Sequence, residues 1–379
     1  MKAQLLSLFP MLAISFMAAF VIVIVFVSKV RDFAKRVGAV QQGGSVHGQG
    51  QRMHQGAIPN IGGIAIFGGF ILAMLLGSLF LPLLVSDISA LNEVRIKLLA
   101  IILGATLMCL IGFIDDIWEV PASLRLGAQL VAAGILVIND IKITFITNYF
   151  GQGDYLFFSS EFLAVTITLL WVVGFTNAFN FIDGLDGLSS GIAAISSLAL
   201  LAVALNFNNP ATLTAMLLLA ALAGSALGFL RHNFNPASII MGDSGAYLLG
   251  YTLAAVSILG ALKVTAAVTV AVPVLILGLP LLNITQVTLR RLRRGSSVAL
   301  ASNDHLHDIL RLRSGSKRLA VLILWSITLV LGALGMFLSQ TPPMLMWLTL
   351  FATVTLIALV SYWRLREVAR EARQAALIK

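Results

Sequence analysis

Apolar runs of about 20 residues recur along the whole chain, and no other feature limits its fold so strongly. A transmembrane α-helix needs about 20 consecutive apolar residues to cross the hydrocarbon core of a bilayer. Of the 379 residues, 59% are apolar and 11% are charged, which is more apolar sequence than a soluble core requires. The sequence therefore predicts an all-α, polytopic transmembrane helix bundle that forms a single integral membrane domain over residues 1–379.

We count about eleven such runs. An odd number of spans places the two termini on opposite sides of the membrane. The predicted spans cover residues 5–28, 58–82, 97–114, 122–138, 161–179, 188–205, 211–230, 243–262, 264–288, 319–339 and 343–363.

Lysine and arginine are concentrated at one end of these spans. Because short loops rich in these residues remain in the cytoplasm, we predict that the amino terminus lies outside and the carboxyl terminus is cytoplasmic. The net charge of +9 then indicates contact with anionic membrane lipids rather than with nucleic acid. The segments assigned to the cytoplasmic face are about 29–57, 115–121, 177–188, 231–243 and 289–318, together with the basic tail 364–379.

Five polar motifs fall on this cytoplasmic face, and the outer loops contain no comparable sequence. Because five separate segments place their polar residues at one membrane surface, we expect a single site built between helices. The motifs are RMHQGAIPNIGG (52–63), IGFIDDIWEV (111–120), NAFNFIDGLDGLSSG (177–191), RHNFNPASIIMGDSG (231–245) and ASNDHLHDIL (301–310).

Several carboxylates in these motifs lie close to the predicted ends of spans. Ionisable groups at membrane depth are costly and are usually functional, and carboxylates that converge without a cation repel one another. A divalent metal would relieve that repulsion, and oxygen ligands favour Mg²⁺, or Mn²⁺, over zinc. Since Mg²⁺ completes its coordination shell with water and phosphate oxygens, the substrate is expected to carry phosphates. The carboxylates are Asp115, Asp116, Asp183, Asp186 and Asp243.

The stretch NAFNFIDGLDGLSSG is expected to end a helix. Gly184 and Gly187 permit a break in the backbone. We therefore place Asn177 and Asn180 on the last helical turn. Asp183 and Asp186 are expected on an irregular segment that faces a cavity, where non-helical backbone is tolerated.

The stretch MGDSGA, residues 241–246, has the composition of a helix start. Asp243 and Ser244 belong to the residue types that cap helix N-termini. A helix start also offers free N–H groups to a phosphate. Simple capping and phosphate binding both remain open on the sequence alone.

In combination, these five motifs resemble those of the polyprenyl-phosphate N-acetylhexosamine-1-phosphate transferase family. The resemblance covers nearly the whole chain and preserves the family order of the motifs. It implies a bacterial inner-membrane enzyme with its active site on the cytoplasmic face. In the implied reaction, the phosphate of undecaprenyl phosphate attacks the sugar-bearing phosphorus of a UDP-N-acetylhexosamine, in the presence of Mg²⁺. The products are the undecaprenyl-diphospho-sugar and UMP.

The resemblance also implies roles for individual residues. Asp115 and Asp116 become the catalytic pair, either of which could deprotonate or orient the lipid phosphate. Asp243 and Asn180 become Mg²⁺ ligands. The implied substrate-binding residues are Asp183, Asp186, Asn233, His305, His307, His54, Arg52 and Asn60.

The histidine motif departs from the family pattern, and its form helps to indicate which branch of the family the chain resembles. Ser302 and Asn303 precede it where the family usually has an Asp-Arg pair, and Asp308 stands where a third histidine is usual. The His-x-His form and the eleventh span resemble the transferases that initiate O-antigen, enterobacterial common antigen or teichoic acid. The branch that transfers phospho-MurNAc-pentapeptide typically has three consecutive histidines and ten spans, and it is the alternative.

A different class, a proton- or cation-coupled transporter, would also place carboxylates in the membrane. It predicts polar residues along the depth of several spans, whereas this chain groups them at one surface. The sequence favours the transferase over the transporter. It leaves open the sugar, the glycan pathway and the oligomeric state, including a homodimer.

Overall fold

The chain folds into a bundle of α-helices. The computed structural model describes residues 2–41, 58–147, 155–158, 160–207, 209–261, 271–293, 305–339, 341, 344–345, 347–349, 351–358 and 362. The helices are α1 (Lys2–Arg36), α2 (Gly63–Ser78), α3 (Leu81–Leu84), α4 (Ile88–Trp118), α5 (Ala122–Ile138), α6 (Glu161–Ile182), α7 (Leu188–Ala204), α8 (Pro210–Asn233), α9 (Gly242–Ala261), α10 (Ala271–Ile276), α11 (Gly278–Arg293), α12 (Leu306–Ser314) and α13 (Lys317–Leu338). The predicted all-α bundle is confirmed.

Two short antiparallel ribbons are the strand structure of the described residues. β1 (Val40–Gln41) pairs with β2 (Ile58–Pro59), and β3 (Phe145–Thr147) pairs with β4 (Tyr155–Phe157). Each ribbon lies in a connection between helices, so neither contributes to the bundle itself.

The helices agree with most of the predicted spans. Five are long and apolar enough to cross a membrane, and the apolar helices α2, α5 and α7 are shorter. Two predicted boundaries are wrong: α1 continues to Arg36, and the run 264–288 overlaps two helices, α10 and α11, which are separated at Leu277. The structure supports a multi-pass membrane protein, while the number of spans and the sides of the termini stay predictions. The five long helices are Leu8–Arg36, Ile88–Trp118, Glu161–Ile182, Pro210–Asn233 and Lys317–Leu338.

Helices α8 and α9 form the centre of the bundle. α8 packs on α1 and α7, whereas α9 packs on α4 and α6. Glycine allows the close approach of α8 to α1, because a Cβ atom on Gly228 would lie 2.6 Å from the carbonyl oxygen of Phe20. Small residues at helix interfaces are the usual means of close packing in membranes.

Basic side chains mark one end of this bundle. They occupy the last turn of α1, α8 and α11 and the beginning of α13. The polar motifs lie at the same end, because α4 and α6 finish there and α9 begins there. The bundle thus brings the five predicted segments towards one surface. Two of the predicted site residues, Arg52 and His54, lie outside the described residues.

Candidate active site

Four helix ends meet at a cluster of charged and amide side chains. Asp115 lies near the end of α4, and its Oδ2 accepts a hydrogen bond of 2.7 Å from Nη1 of Arg125 in the first turn of α5. Its Oδ1 accepts from the backbone N–H of Val120 at 2.6 Å. The short connection between α4 and α5 therefore holds this carboxylate in a fixed orientation.

The neighbouring carboxylate, Asp116, caps a different helix. It accepts hydrogen bonds from the backbone N–H of Asp243 at 2.7 Å and of Ser244 at 3.2 Å. The first N–H groups of a helix have no partner within that helix, and Asp116 supplies one for α9 from 127 positions away in the sequence. Helix α9 begins at Gly242, so Asp243 and Ser244 lie in its first turn, and simple capping by these two residues, one of the two alternatives left open by the sequence, is not observed.

Asp243 connects this cluster to the end of α6. Its Oδ1 accepts a hydrogen bond of 2.6 Å from Nδ2 of Asn180, and its Oδ2 lies 3.8 Å from Nη1 of Arg125. Asn180 is buried on the last turn of α6, as predicted. The two residues proposed as metal ligands are thus in direct contact.

The donor set fits Mg²⁺ in kind. Among the described residues of the cluster, three carboxylates face one guanidinium, which leaves an excess of two formal negative charges. In this part of the chain no three His, Cys, Asp or Glu side chains are arranged around one ion position. An ion here would therefore take few protein ligands, and Mg²⁺ commonly binds through one or two carboxylates plus water and substrate phosphates.

Arg125 was not among the predicted site residues. The apolar run 122–138 is predicted only as a span, and Arg125 is its single cation. An arginine in the first turn of an apolar helix, ten positions after a carboxylate pair, is the signal that could have identified it. Its guanidinium contacts both Asp115 and Asp243, so it balances charge at the centre of the site.

The turn between α6 and α7 forms a second part of the site. α6 ends at Ile182, and Asp183 and Asp186 lie on the irregular segment that follows, as predicted. The Oδ2 of Asp186 accepts hydrogen bonds from Nδ2 of Asn235 at 2.8 Å and from the backbone N–H of Ala237 at 3.3 Å. A small cavity opens at this turn, and it is lined by Asp183, Gly184, Leu185, Asp186, Asn233 and Ile240.

Asn233 uses its side chain to hold this turn together. Its Oδ1 accepts from the backbone N–H of Gly187 at 3.0 Å and from Oγ of Ser190 at 3.2 Å. Its Nδ2 donates to the carbonyl oxygen of Ile239 at 3.0 Å. The predicted substrate-binding residue therefore lines the cavity while its polar atoms join α7 to the segment before α9.

The histidine motif packs onto the same turn. A Cβ atom on Gly184 would overlap the imidazole of His307, which shows how closely the ring lies against the backbone. His305 stacks on His307 with ring centroids 5.2 Å apart. Asp308, which stands where the family usually has a histidine, places its Oδ2 3.5 Å from Nε2 of His307. Both predicted histidines thus lie at the α6–α7 turn.

The segment before α2 docks beside the start of α9. The backbone N–H of Ile240 donates to the carbonyl of Pro59 at 2.8 Å, and that of Gly63 donates to the carbonyl of Met241 at 2.8 Å. Asn60 donates from Nδ2 to the carbonyl oxygen of Asp116 at 3.1 Å, and within the described residues its buried Oδ1 has no hydrogen-bond partner. The predicted residue Asn60 therefore lies next to Asp116.

Known proteins are similar to this chain over most of its length. A family model described as "Glycosyl transferase family 4" matches residues 98–261. A "Probable undecaprenyl-phosphate N-acetylglucosaminyl 1-phosphate transferase" of Bacillus subtilis is 30% identical over 346 residues, which cover 91% of this chain and 89% of that protein. The chain belongs to the polyprenyl-phosphate N-acetylhexosamine-1-phosphate transferase family. The predicted family membership is confirmed.

Other members of this transferase family are similar over shorter stretches. A "Decaprenyl-phosphate N-acetylglucosaminephosphotransferase" of Mycobacterium tuberculosis is 32% identical over 78% of this chain and 74% of its own length. A "Phospho-N-acetylmuramoyl-pentapeptide-transferase" of Listeria monocytogenes is 32% identical over 66% of this chain and 75% of its own length. The family match 98–261 includes the central cluster and ends before the histidine motif.

Proposed function

We propose that this transferase moves N-acetylglucosamine 1-phosphate from UDP-N-acetylglucosamine to undecaprenyl phosphate. The products would be undecaprenyl-diphospho-N-acetylglucosamine and UMP, in the first membrane step of a cell-envelope glycan. The observation that carries the proposal is the connected cluster of Asp115, Asp116, Arg125, Asn180 and Asp243 at four helix ends, in a chain of this family. Phosphoryl transfer between two anions needs positioning and charge neutralisation more than covalent help.

We assign different tasks to the two catalytic carboxylates. The carboxylate of Asp116 accepts hydrogen bonds from two backbone N–H groups of α9. These donors are part of the helix backbone, so they cannot move unless the helix moves. The Oδ2 of Asp115 is bonded to a side chain, Arg125, which can change its rotamer when a substrate arrives. Asp115 would accept the remaining proton of the lipid phosphate or orient that phosphate, as a general base must. Asp116 would hold Asp243 in place.

Asp243 and Asn180 are the residues that would hold Mg²⁺, with Mn²⁺ as a substitute. The ion would neutralise charge on the diphosphate of the sugar nucleotide. Arg125 would remain beside Asp115 and Asp243, where it limits the repulsion between the two carboxylates. The basic residues at this end of the bundle support a cytoplasmic active site in a bacterial inner membrane.

The small cavity at the α6–α7 turn would contact part of the sugar nucleotide. Asp183 and Asp186 line it, and His305 and His307 pack beside it. Asn233 would act by fixing the shape of the turn, because its polar atoms bond to the protein. Arg52 and His54 remain candidates for the phosphates on the sequence motif alone.

Two other functions compete with this proposal. Phospho-MurNAc-pentapeptide transfer is supported by the Listeria protein, although that similarity covers 66% of this chain and the Bacillus similarity covers 91%. An ion-coupled transporter needs polar groups across the membrane. The amide pair of Gln129 and Asn177 is joined by a bond of 2.7 Å and lies at the middle of α5 and near the end of α6. One such pair does not form a path across the membrane.

Release of UMP by the purified protein tests the proposal. The protein would receive undecaprenyl phosphate and, separately, UDP-GlcNAc, UDP-GalNAc or UDP-MurNAc-pentapeptide, each with Mg²⁺ or with EDTA. We expect Mg²⁺-dependent release with UDP-GlcNAc. Release with the pentapeptide donor alone would establish the alternative branch, and no release with any donor would refute the proposed reaction.

A further inference from the structure

Asn283 of α11 is fully buried and lies between three segments of the site. Its Oδ1 accepts a hydrogen bond of 2.9 Å from the backbone N–H of Leu306. Its Nδ2 lies 3.3 Å from the carbonyl oxygen of Phe181 and 3.4 Å from Nδ1 of His305. One side chain thus connects α11 to the end of α6 and to the histidine motif.

The backbone partners settle the orientation of this amide. A backbone N–H can only donate and a carbonyl oxygen can only accept. The atom that faces the N–H of Leu306 must therefore be the amide oxygen, and the atom that faces the carbonyl of Phe181 must be the amide nitrogen. This nitrogen carries two hydrogens. One is donated to the carbonyl oxygen of Phe181, and the other is available to Nδ1 of His305.

This orientation determines the proton position on His305. Because the amide nitrogen of Asn283 donates, Nδ1 of His305 must accept and cannot carry a hydrogen. In a neutral imidazole the proton then lies on Nε2. An imidazolium would place an N–H group against the N–H of Asn283, so this contact also favours the uncharged ring.

We propose that Asn283 is a positioning residue that fixes His305 as the neutral tautomer with its proton on Nε2. His305 then presents a hydrogen-bond donor of fixed direction without an added positive charge. We further infer, on the basis of the proposed function, that this Nε2–H group donates a hydrogen bond to a phosphate oxygen of the sugar nucleotide. Phe181, whose ring centroid lies 5.8 Å from that of His305, directly follows Asn180 in the last turn of α6.

Nitrogen NMR of the full-length protein labelled with ¹⁵N-histidine tests the tautomer without reference to any reaction. The five histidines would be recorded at pH 8, and the His305 signals would be identified by their loss in His305→Gln. We expect a bare Nδ1 and a protonated Nε2. A proton on Nδ1 of His305 in the wild-type protein would overturn the inference, whether or not the protein transfers sugar phosphates.

The substitution Asn283→Asp separates the donor from the rest of the contact. It keeps an oxygen for the N–H of Leu306 but replaces the nitrogen that donates to His305 and to the carbonyl of Phe181 with an acceptor, so Nδ1 of His305 should gain a proton. Asn206→Asp is the matched control, because Asn206 also donates to a backbone carbonyl, that of Ser339 at 3.1 Å, at the other end of the bundle. An Asn283→Asp spectrum identical to that of the control would refute the role of Asn283.

Two substitutions of His305 test the function of the Nε2 donor. The amide nitrogen of glutamine reaches the Nε2 position, whereas that of asparagine reaches only the Nδ1 position. We expect His305→Asn to raise the KM for the sugar nucleotide about tenfold, the effect of one hydrogen bond to a charged group, and His305→Gln to recover most of that loss. Equal losses in both variants would contradict a donor at Nε2 while leaving the proposed reaction intact.

Discussion

Replacement of Arg125 by methionine is the most direct test of the charge balance in the central cluster. Methionine keeps most of the length and apolar volume of the side chain but removes the guanidinium that contacts Asp115 and Asp243 at 2.7 and 3.8 Å. Both carboxylates would then face each other and Asp116 without a cation. We expect a loss of activity rather than a failure to insert into the membrane.

The size of the loss follows from the exposure of the ion pair. Removing one partner of a fully buried pair costs about 3 to 5 kcal/mol. The side chain of Arg125 is 31% exposed and that of Asp115 is 6% exposed, so solvent screening reduces the cost, and we take about 2 kcal/mol. This is the expected fall in the free energy of unfolding. We assign the same repulsion to the transition state, and at 1.36 kcal/mol for each factor of ten, kcat/KM should fall about 30-fold.

UMP release at saturating undecaprenyl phosphate would measure this effect over a range of UDP-GlcNAc concentrations. Arg95→Met is the matched control, because Arg95 is exposed near the opposite end of α4. Arg125→Lys should recover part of the loss, since it keeps the charge but not the planar guanidinium. If Arg125→Met retained the kcat/KM of Arg95→Met with an equal melting temperature, the assigned role of Arg125 would be refuted.

Three further predictions concern separate parts of the site. Asp243→Ala and Asn180→Ala should abolish Mg²⁺-dependent turnover while the protein still inserts and folds; full activity in either variant at ordinary Mg²⁺ would remove that residue from the proposed metal shell. Gly184→Ala should displace His307 at a cost of about 1 to 3 kcal/mol and raise the KM for UDP-GlcNAc, whereas Gly174→Ala, which meets open space in the same helix bundle, should not; equal KM values would contradict the contact. Asn233→Ala should lower the free energy of unfolding in detergent by about 2 kcal/mol, because it leaves buried partners without hydrogen bonds; an unchanged melting temperature would show that these bonds do not stabilise the turn.

Local patterns predicted the parts of the site that are close together in the sequence. The end of α6 and the irregular segment with Asp183 and Asp186 follow from an apolar run that stops at glycines. The helix boundaries of α5 and α6 follow in the same way from apolar length. These features are determined by neighbouring residues, so a single sequence contains the information.

Long-range contacts could not be predicted in this manner. Asp116 caps α9 across 127 positions, and Asn283 bonds to His305 across 22 positions. In both cases the partner is selected by how helices pack, and no spacing along the chain encodes it. A local capping rule considers only residues at the helix start, such as Asp243 and Ser244, whereas in α9 a distant side chain provides the acceptor.

Because α9 lies at the centre of the bundle, the geometry of the site is insulated from changes in the surrounding bilayer. The side chains described from Ser244 to Leu259 are buried within the protein, so this helix has no surface on which hydrocarbon chains can press. Its first turn carries Asp243, whose position is set by Asp116 and Asn180. Changes in bilayer thickness or lateral pressure therefore act first on peripheral helices such as α1, which has an exposed apolar face and contributes no residue to the central cluster. The distances between the charged groups depend on contacts within the protein.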